Sequence, residues 1–281
     1  MQYLVTIEEL IRLYGDSLWA KGQHRQSSLG YLIEISQIKM EGFSAFVEDD
    51  YRLIADKLEA LGNSDATINR KIAALTKLLR RAQQDGKIPN VPVYRRRKED
   101  QDALRYLSIF EEQDLRTALA SEEPYYAEFS SFLIDTGVKP GEAVSLRWEN
   151  ISNGTIIVPG SKSTQGRTIP LTQRARSVLT GLDHEVRGPF YSIDLAKFRL
   201  SWNIAKEKLG WHEKSIVPQV LRHTCASRLV LSGLDTRLVQ RWLGIRNYQA
   251  MRRYEKLIRT DDFSLCAKAL ESFAAVEDAT D

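Results

Sequence analysis

Apolar residues recur at helical spacing along most of the chain, and capping residues bound several of the helices they predict. Thr6 and Glu9 form a capping box ahead of Leu10, Ile11, Leu13 and Tyr14, so a helix is expected from about residue 7. Further helical patterns run over residues 29–39, 44–61 and 67–84. In the last, Ile68, Ile72, Leu75, Leu79 and Ala82 make one apolar stripe, which leaves Arg70, Lys71, Lys77, Arg80 and Arg81 to the other faces. Residues 1–88 therefore predict a small helical bundle. Residues 89–104 hold two prolines and a charge run without periodicity, the pattern of a linker.

A second domain is expected over 105–281. Ser108 and Glu111 form another capping box, and an apolar helical run covers 129–135. Residues 155–158 and 167–171 read as two short strands joined by the turn-rich PGSKSTQG, a β-hairpin. Helical patterns return over 174–182 and 196–209. Leu221, Cys225 and Leu229 then recur at i, i+4 and i+8 on a helix that Pro218 can start and Gly233 can stop. Arg222 lies about 100° round from that stripe. Asp235 or Thr236 can cap the next helix, with Gly244 at its end. Asp261 or Asp262 can cap a final one carrying Phe263, Leu265, Cys266, Leu270 and Phe273. The fold class expected is mainly α (α+β), with one small sheet.

Composition narrows the classes. The 281 residues are 43% hydrophobic, enough for two globular cores. No apolar run approaches a membrane span and the N-terminus lacks a signal-peptide pattern, so a soluble cytoplasmic protein is expected. Cys225 and Cys266 sit in amphipathic patterns and read as buried thiols rather than a disulfide or metal site. A net charge of +3 does not by itself imply a nucleic-acid partner. Its distribution is more pointed: Arg80 and Arg81, then Arg95, Arg96, Arg97 and Lys98, then Arg241, Arg246, Arg252, Arg253 and Lys256 form clusters able to neutralise phosphates.

The segment from Val217 to Tyr254 holds a helix, a turn at Gly233, a second helix, and a tyrosine among arginines. That outline fits a DNA-binding helix-turn-helix. In full, however, Gln219, Arg222, His223, Thr224, Gly233, Leu243, Gly244, Ile245 and Tyr254 resemble the C-terminal signature of the tyrosine recombinases, or phage-integrase family. That signature reads His-x-x-Arg-His-Thr, helix, Gly, helix, Leu-Gly-His, then tyrosine nine residues on. Two further motifs are similar to the same family. Gly137, Glu142, Leu146 and Trp148 match Thr-Gly-x-Arg-x-x-Glu followed by Leu-x-Trp, and Lys162 stands before Arg167 as a hairpin lysine does there. Residues 64–88 also look like the last helices of the family's core-binding domain.

The resemblance implies phosphoryl transfer on double-stranded DNA at a specific recombination site. Tyr254 would be the nucleophile, Arg222 the phosphate ligand and Lys162 the acid for the leaving 5′-oxygen. Lys139 and Gln219 would stand in for the family's first arginine and its histidine, and Ile245 replaces a second histidine. Lys139 keeps charge without a bidentate fork, Gln219 can donate a hydrogen bond but not shuttle a proton, and Ile245 can do neither. A slow or specialised enzyme is therefore expected, with His212, His223 or Arg246 as candidates to compensate. No metal or other cofactor is implied, and the sequence carries no Walker loop or Cys/His ligand spacing. DNA contacts are expected from His223, Arg246, Arg70, Lys71, Lys77, Arg80, Arg81, Arg95, Arg96 and Arg97. The resemblance further implies a homo-oligomer on DNA, a tetrameric synapse with the last helix exchanged between protomers. It also implies DNA-bending or directionality proteins and a nucleoid location in a bacterial or phage setting. Little chain precedes the helical bundle, so the N-terminal arm-binding domain that some phage integrases have is not expected. A DNA-binding protein on the same fold that no longer cuts, and an unrelated helix-turn-helix regulator, are the alternatives.

Overall fold

The computed structural model describes residues 4–99 and 104–258, and the chain divides into two compact units at Gln101 and Asp102. The expected last helix and Cys266 lie outside the described residues.

The first unit is helical. α1 (Ile7–Leu18) starts at the expected capping box: the Thr6 N–H donates to Glu9 Oε2 at 2.9 Å and the Glu9 N–H to Thr6 Oγ1 at 3.1 Å. α2 (Gln23–Ile38) begins earlier than its apolar pattern suggests. α3 (Glu48–Ala60) begins later, because Phe43 is held by paired backbone bonds to Val5 and the chain bends at Ser44 and Ala45 before an extended Val47. α4 (Asp65–Gln84) is the central element and packs on α1, α2 and α3. Its stripe of Ile68, Ile72, Leu75, Leu79 and Ala82 is fully buried, together with Leu78.

The segment expected to be a linker is tied to this unit through residue 99. Val91 and Tyr94 pack against the core, Tyr94 with its ring on Tyr51, and Asn69 of α4 exchanges two hydrogen bonds with the Arg97 backbone, at 2.9 and 3.0 Å. The Arg97 guanidinium is held in turn by Asp56, Glu59 and Asp65. Charge without periodicity read as tether; the complementary carboxylates on α3 and α4 make it a strap.

The second unit opens with α5 (Ile109–Glu122), again from a capping box, at Ser108 and Glu111. α6 (Pro124–Thr136) ends at Gly137, whose φ of 63° is the left-handed stop that favours glycine. The one-turn α7 (Pro140–Val144) follows, and then a three-stranded antiparallel sheet. Its strands are β1 (Ile151–Ser152), β2 (Thr155–Val158) and β3 (Arg167–Pro170), in that order, with Ile156 opposite Ile169. The hairpin was legible in the sequence; β1 is too short to carry a period. α8 (Gln173–Thr180) and α9 (Leu195–Lys208) complete a core that includes Phe129, Phe132, Phe190, Phe198 and Trp202.

α10 (Gln219–Leu231) runs through this core and contacts α6. It is buried over more than the expected stripe: Val220, Arg222, Thr224, Ala226 and Ser227 are enclosed along with Leu221 and Cys225. α11 (Thr236–Leu243) is capped by Asp235 and closed by Gly244 at φ 65°. A 3-10 turn over Tyr248–Met251 leads into α12 (Arg252–Glu255), which packs on α10.

Candidate active site

Two helix ends converge on one guanidinium. Arg222 is 5% exposed, and its Nη1 and Nη2 donate to the carbonyls of Gly137 and Leu243, each at 2.6 Å. Those carbonyls end α6 and α11, where the helix dipoles place partial negative charge. The arrangement compensates a buried cation without a carboxylate contact, and it leaves N–H donors of the fork for another acceptor. The approach needs both glycines. A Cβ on Gly137 would meet Leu243 at 2.8 Å and Cys225 at 2.9 Å, and one on Gly244 would meet the Gln165 carbonyl at 2.6 Å.

The β2–β3 loop is pinned against the same place. The Gln165 N–H donates to the Gly244 carbonyl at 2.9 Å, Thr164 bridges to Ile245, and Arg246 donates to the Ser161 carbonyl at 3.0 Å. Beneath it Arg167 and Glu142 pair at 2.8 Å, with Arg167 Nε also donating to the Trp242 carbonyl. Burial pushes the Glu142 carboxyl up, but the bond from Arg167, the Lys139 backbone N–H and the Arg167 charge outweigh it and hold the carboxyl below its ordinary value. A lysine at position 162 is thereby carried on a braced loop, and Lys139 Nζ reaches the same loop, 3.2 Å from Ser163 Oγ.

These supports enclose an open cleft of about 450 Å³ within the second unit. Tyr254, Arg222, Lys162, Lys139, Gln219 and Ile245, spread over the chain from 139 to 254, all line it, and so do His223 and Arg246. His212 does not. Among the described residues, five cations line the cleft (Lys139, Lys162, Arg222, Arg246 and Arg253) and no carboxylate does. Such a surface fits an anion, and the depth at Arg222 fits a phosphate oxygen better than a flat patch would. Sequence reasoning missed Arg253, Ser163 and Asn247 as lining residues. Arg253 adjoins Tyr254 and was counted only as part of a cluster, while the other two carry no pattern.

Tyr254 is buried, 3% exposed, and its hydroxyl is 2.7 Å from His223 Nδ1. Burial pushes the phenol up to about 12, against the pull of Arg222 and Arg253. Burial also pushes His223 down to about 4, helped by the charges of Arg253 and Arg222, so its imidazole is neutral at physiological pH. Cys225, buried behind Gly137, is pushed by burial up to about 12 and is an unreactive thiol, as its pattern suggested.

The basic residues expected to touch DNA from the first unit divide sharply. Lys71 is corrected: it is turned inward, 5% exposed, with its ammonium bonded to Glu34 and to Asn63 at 2.7 Å. Arg97 belongs to the strap described above. Lys77 donates to the Leu18 carbonyl and lies over the Trp19 ring, Arg81 pairs with Asp85, and Arg96 pairs with Glu99. Arg70, Arg80 and Arg95 are exposed, with no salt bridge among the described residues. No helix of the described residues is long and apolar enough to cross a membrane.

Comparison with known proteins places the second unit in a family. Residues 105–259 match the family model described as phage integrase family. The shufflon-specific DNA recombinase of Escherichia coli is 28% identical over 127 residues, 44% of this chain and 33% of the relative, so the match spans a third of that protein's length. Tyrosine recombinase XerA of Pyrococcus furiosus is 24% identical over 269 residues, 89% of this chain and 90% of the relative. Among solved structures, a lambda integrase dimer bound to a COC′ core site superposes with a TM-score of 0.75 at 17% identity, covering 90% of this chain and 78% of that one.

Proposed function

The chain belongs to the phage integrase family, and from that membership and the make-up of the cleft we propose that it is a site-specific DNA recombinase acting through a 3′-phosphotyrosyl intermediate. In this reading Tyr254 Oη attacks a backbone phosphorus, the 5′-oxygen leaves with a proton from Lys162, and the reverse step with a new 5′-hydroxyl exchanges strands. Arg222 holds phosphate oxygens with the donors its two backbone carbonyls leave unused. Lys139 adds charge beside the loop that carries Lys162, and Gln219 donates to a phosphate oxygen from the first turn of α10.

The observation that carries the reading is the meeting of Tyr254, Arg222, Lys162, Lys139 and Gln219 in one cationic cleft. An unrelated helix-turn-helix regulator would have no reason to bring Lys139 and Lys162 to Arg222. Phosphoryl transfer needs positioned positive charge more than covalent help from the protein, which is what the cleft supplies. The loss of a fork at Lys139 and of proton-carrying groups at Gln219 and Ile245 favours a slow or specialised enzyme, since one lost transition-state donor costs on the order of 10²- to 10³-fold.

Double-stranded DNA is the proposed substrate, bound by a homo-oligomer. The lambda integrase neighbour was seen as a dimer on a core site, and its likeness in fold supports carrying both features over. The first unit would serve as core-binding domain and the second as catalytic domain. A tetrameric synapse, exchange of the last helix, bending or directionality proteins and a place at the nucleoid in the cytoplasm complete the proposal. Of the first unit's cations, Arg70, Arg80 and Arg95 are proposed to meet phosphates, because each is exposed and forms no salt bridge among the described residues.

A second reading has a specific basis: Tyr254 is buried with its phenol pushed up, and three site positions depart from the family pattern. It makes the chain a DNA-binding protein that does not cut. A nicked suicide duplex taken from DNA flanking the gene separates the two. A covalent adduct that vanishes in Tyr254→Phe supports the recombinase; tight binding without adduct supports the other.

A further inference from the structure

We propose, building on the recombinase reading above, that His223 is the proton acceptor for Tyr254. The contact is direct: Nδ1 lies 2.7 Å from the phenolic oxygen, on helices α10 and α12 that pack together. Cleavage has to remove the Tyr254 proton, and a phenol at about 12 is ionised in only about one molecule in 10⁵ at pH 7. The other described side chains around it are poorly suited to take that proton. Lys139, Lys162, Arg222, Arg246 and Arg253 are cations, Gln219 and Asn247 are amides, Ser163 and Thr164 are hydroxyls, Ile245 is a hydrocarbon, and the Cys225 thiol is itself pushed by burial up to about 12.

The imidazole is kept ready for the role. Its environment, from its own helix and from α12, contains Arg222, Arg253 and Tyr254, and burial with the two arginines keeps it neutral. With the phenol O–H donating to Nδ1, the imidazole's own hydrogen is assigned to Nε2. The same arginines that keep His223 neutral would resist an imidazolium in an empty cleft. A phosphate between them offsets that repulsion, so proton acceptance is coupled to DNA occupying the site.

The step balances. The Tyr254 O–H bond breaks as Oη bonds to phosphorus, and the proton passes to His223 Nδ1. The bond from phosphorus to the 5′-oxygen breaks, and that oxygen takes a proton from Lys162. On rejoining, a 5′-hydroxyl attacks, Lys162 recovers a proton, and the imidazolium returns its own to the departing phenolate. His223 thus does chemistry that neither Gln219 nor Ile245 can do.

The test is the pH dependence of adduct formation on the nicked duplex, for the unaltered chain and for His223→Gln. A neutral base beside a neutral phenol predicts a rate nearly independent of pH between about 6 and 9. Without the base, Tyr254 has to ionise by itself. His223→Gln is then about 10²- to 10³-fold slower at pH 7, gains roughly tenfold per pH unit and approaches the unaltered rate in alkali. Profiles that run parallel overturn the proposal, because a packing role lowers the rate without changing its slope. ¹⁵N spectra of the unaltered chain give a measurement free of any change at 223. An unprotonated Nδ1 whose resonance moves in Tyr254→Phe supports the assignment, and a protonated Nδ1 at pH 7 overturns it. If no duplex gives an adduct with the unaltered chain, the recombinase reading fails and takes this one with it; parallel profiles with an adduct sink this one alone.

Discussion

Arg167 on β3 and Glu142 on α7 form an ion pair at 2.8 Å with 5% and 13% of their side chains exposed. The pair joins the hairpin to the segment carrying Lys139, and the Arg167 bond to the Trp242 carbonyl extends the link to the end of α11. Breaking it leaves a charge buried without its partner. Glu142→Gln is therefore expected to lose about 3–5 kcal/mol of stability in urea unfolding. The double change Glu142→Leu with Arg167→Met should cost less than Glu142→Gln alone; a larger loss would mean that the pair is worth more than the desolvation it suffers.

Gly137 and Gly244 let two helix ends approach Arg222. Alanine at either combines left-handed backbone strain with contacts under 3.0 Å, and each change should cost about 2–4 kcal/mol. Gly210 is the internal control, with φ 68° and open space around the added methyl. Gly210→Ala should cost only the strain, about 1–2 kcal/mol. Thermal unfolding of the three variants checks the ranking, and equal losses would show that close approach contributes nothing.

Lys139 brings charge to the cleft without a planar fork. Lys139→Arg is expected to speed adduct formation by roughly tenfold or more, because a guanidinium can hold two phosphate oxygens at once. Lys139→Ala should slow it by about 10²- to 10³-fold. Single-turnover rates on one duplex decide this, and an arginine variant slower than the lysine chain would show that the bond to Ser163 matters more than bidentate contact.

The buried pair also shapes the dependence of stability on pH. His223 titrates near 6.5 when unfolded and about 4 when folded. The unfolded chain binds more protons in that window, so stability falls as pH drops through it. Tyr254 moves the other way, from 10.0 up to about 12. Stability is then lost as pH rises through that range, where the unfolded chain has already released its proton. Urea midpoints across pH should show a flatter alkaline limb in Tyr254→Phe than in the unaltered chain; identical limbs would mean that the phenol is not shielded.

Much of this was legible in the sequence, for identifiable reasons. The capping boxes at Thr6 and Ser108 and the stripe on α4 are local signals, and the structure keeps them. The cleft residues were found through resemblance to three motifs of the phage integrase family, around Gly137 and Lys139, at Lys162 on the hairpin loop, and from Gln219 to Tyr254. Long-range compensation was not legible. Lys71 lies on a polar-looking face of α4, and only folding brings Glu34 and Asn63 to it. The charge run that holds Arg97 read as tether because the three carboxylate partners of Arg97 sit at 56, 59 and 65. Arg222 read as the flank of an amphipathic helix because nothing local shows that Gly137 and Leu243 supply its acceptors.

The central claim is that the Tyr254 hydroxyl becomes bonded to a DNA phosphate. Tryptic digestion of the adduct from a nicked duplex, followed by mass spectrometry, tests it most directly. The account predicts nucleotide mass on the peptide Tyr254–Lys256, absent from the Tyr254→Phe chain. Nucleotide mass on a different peptide, or an adduct that survives Tyr254→Phe, would contradict it.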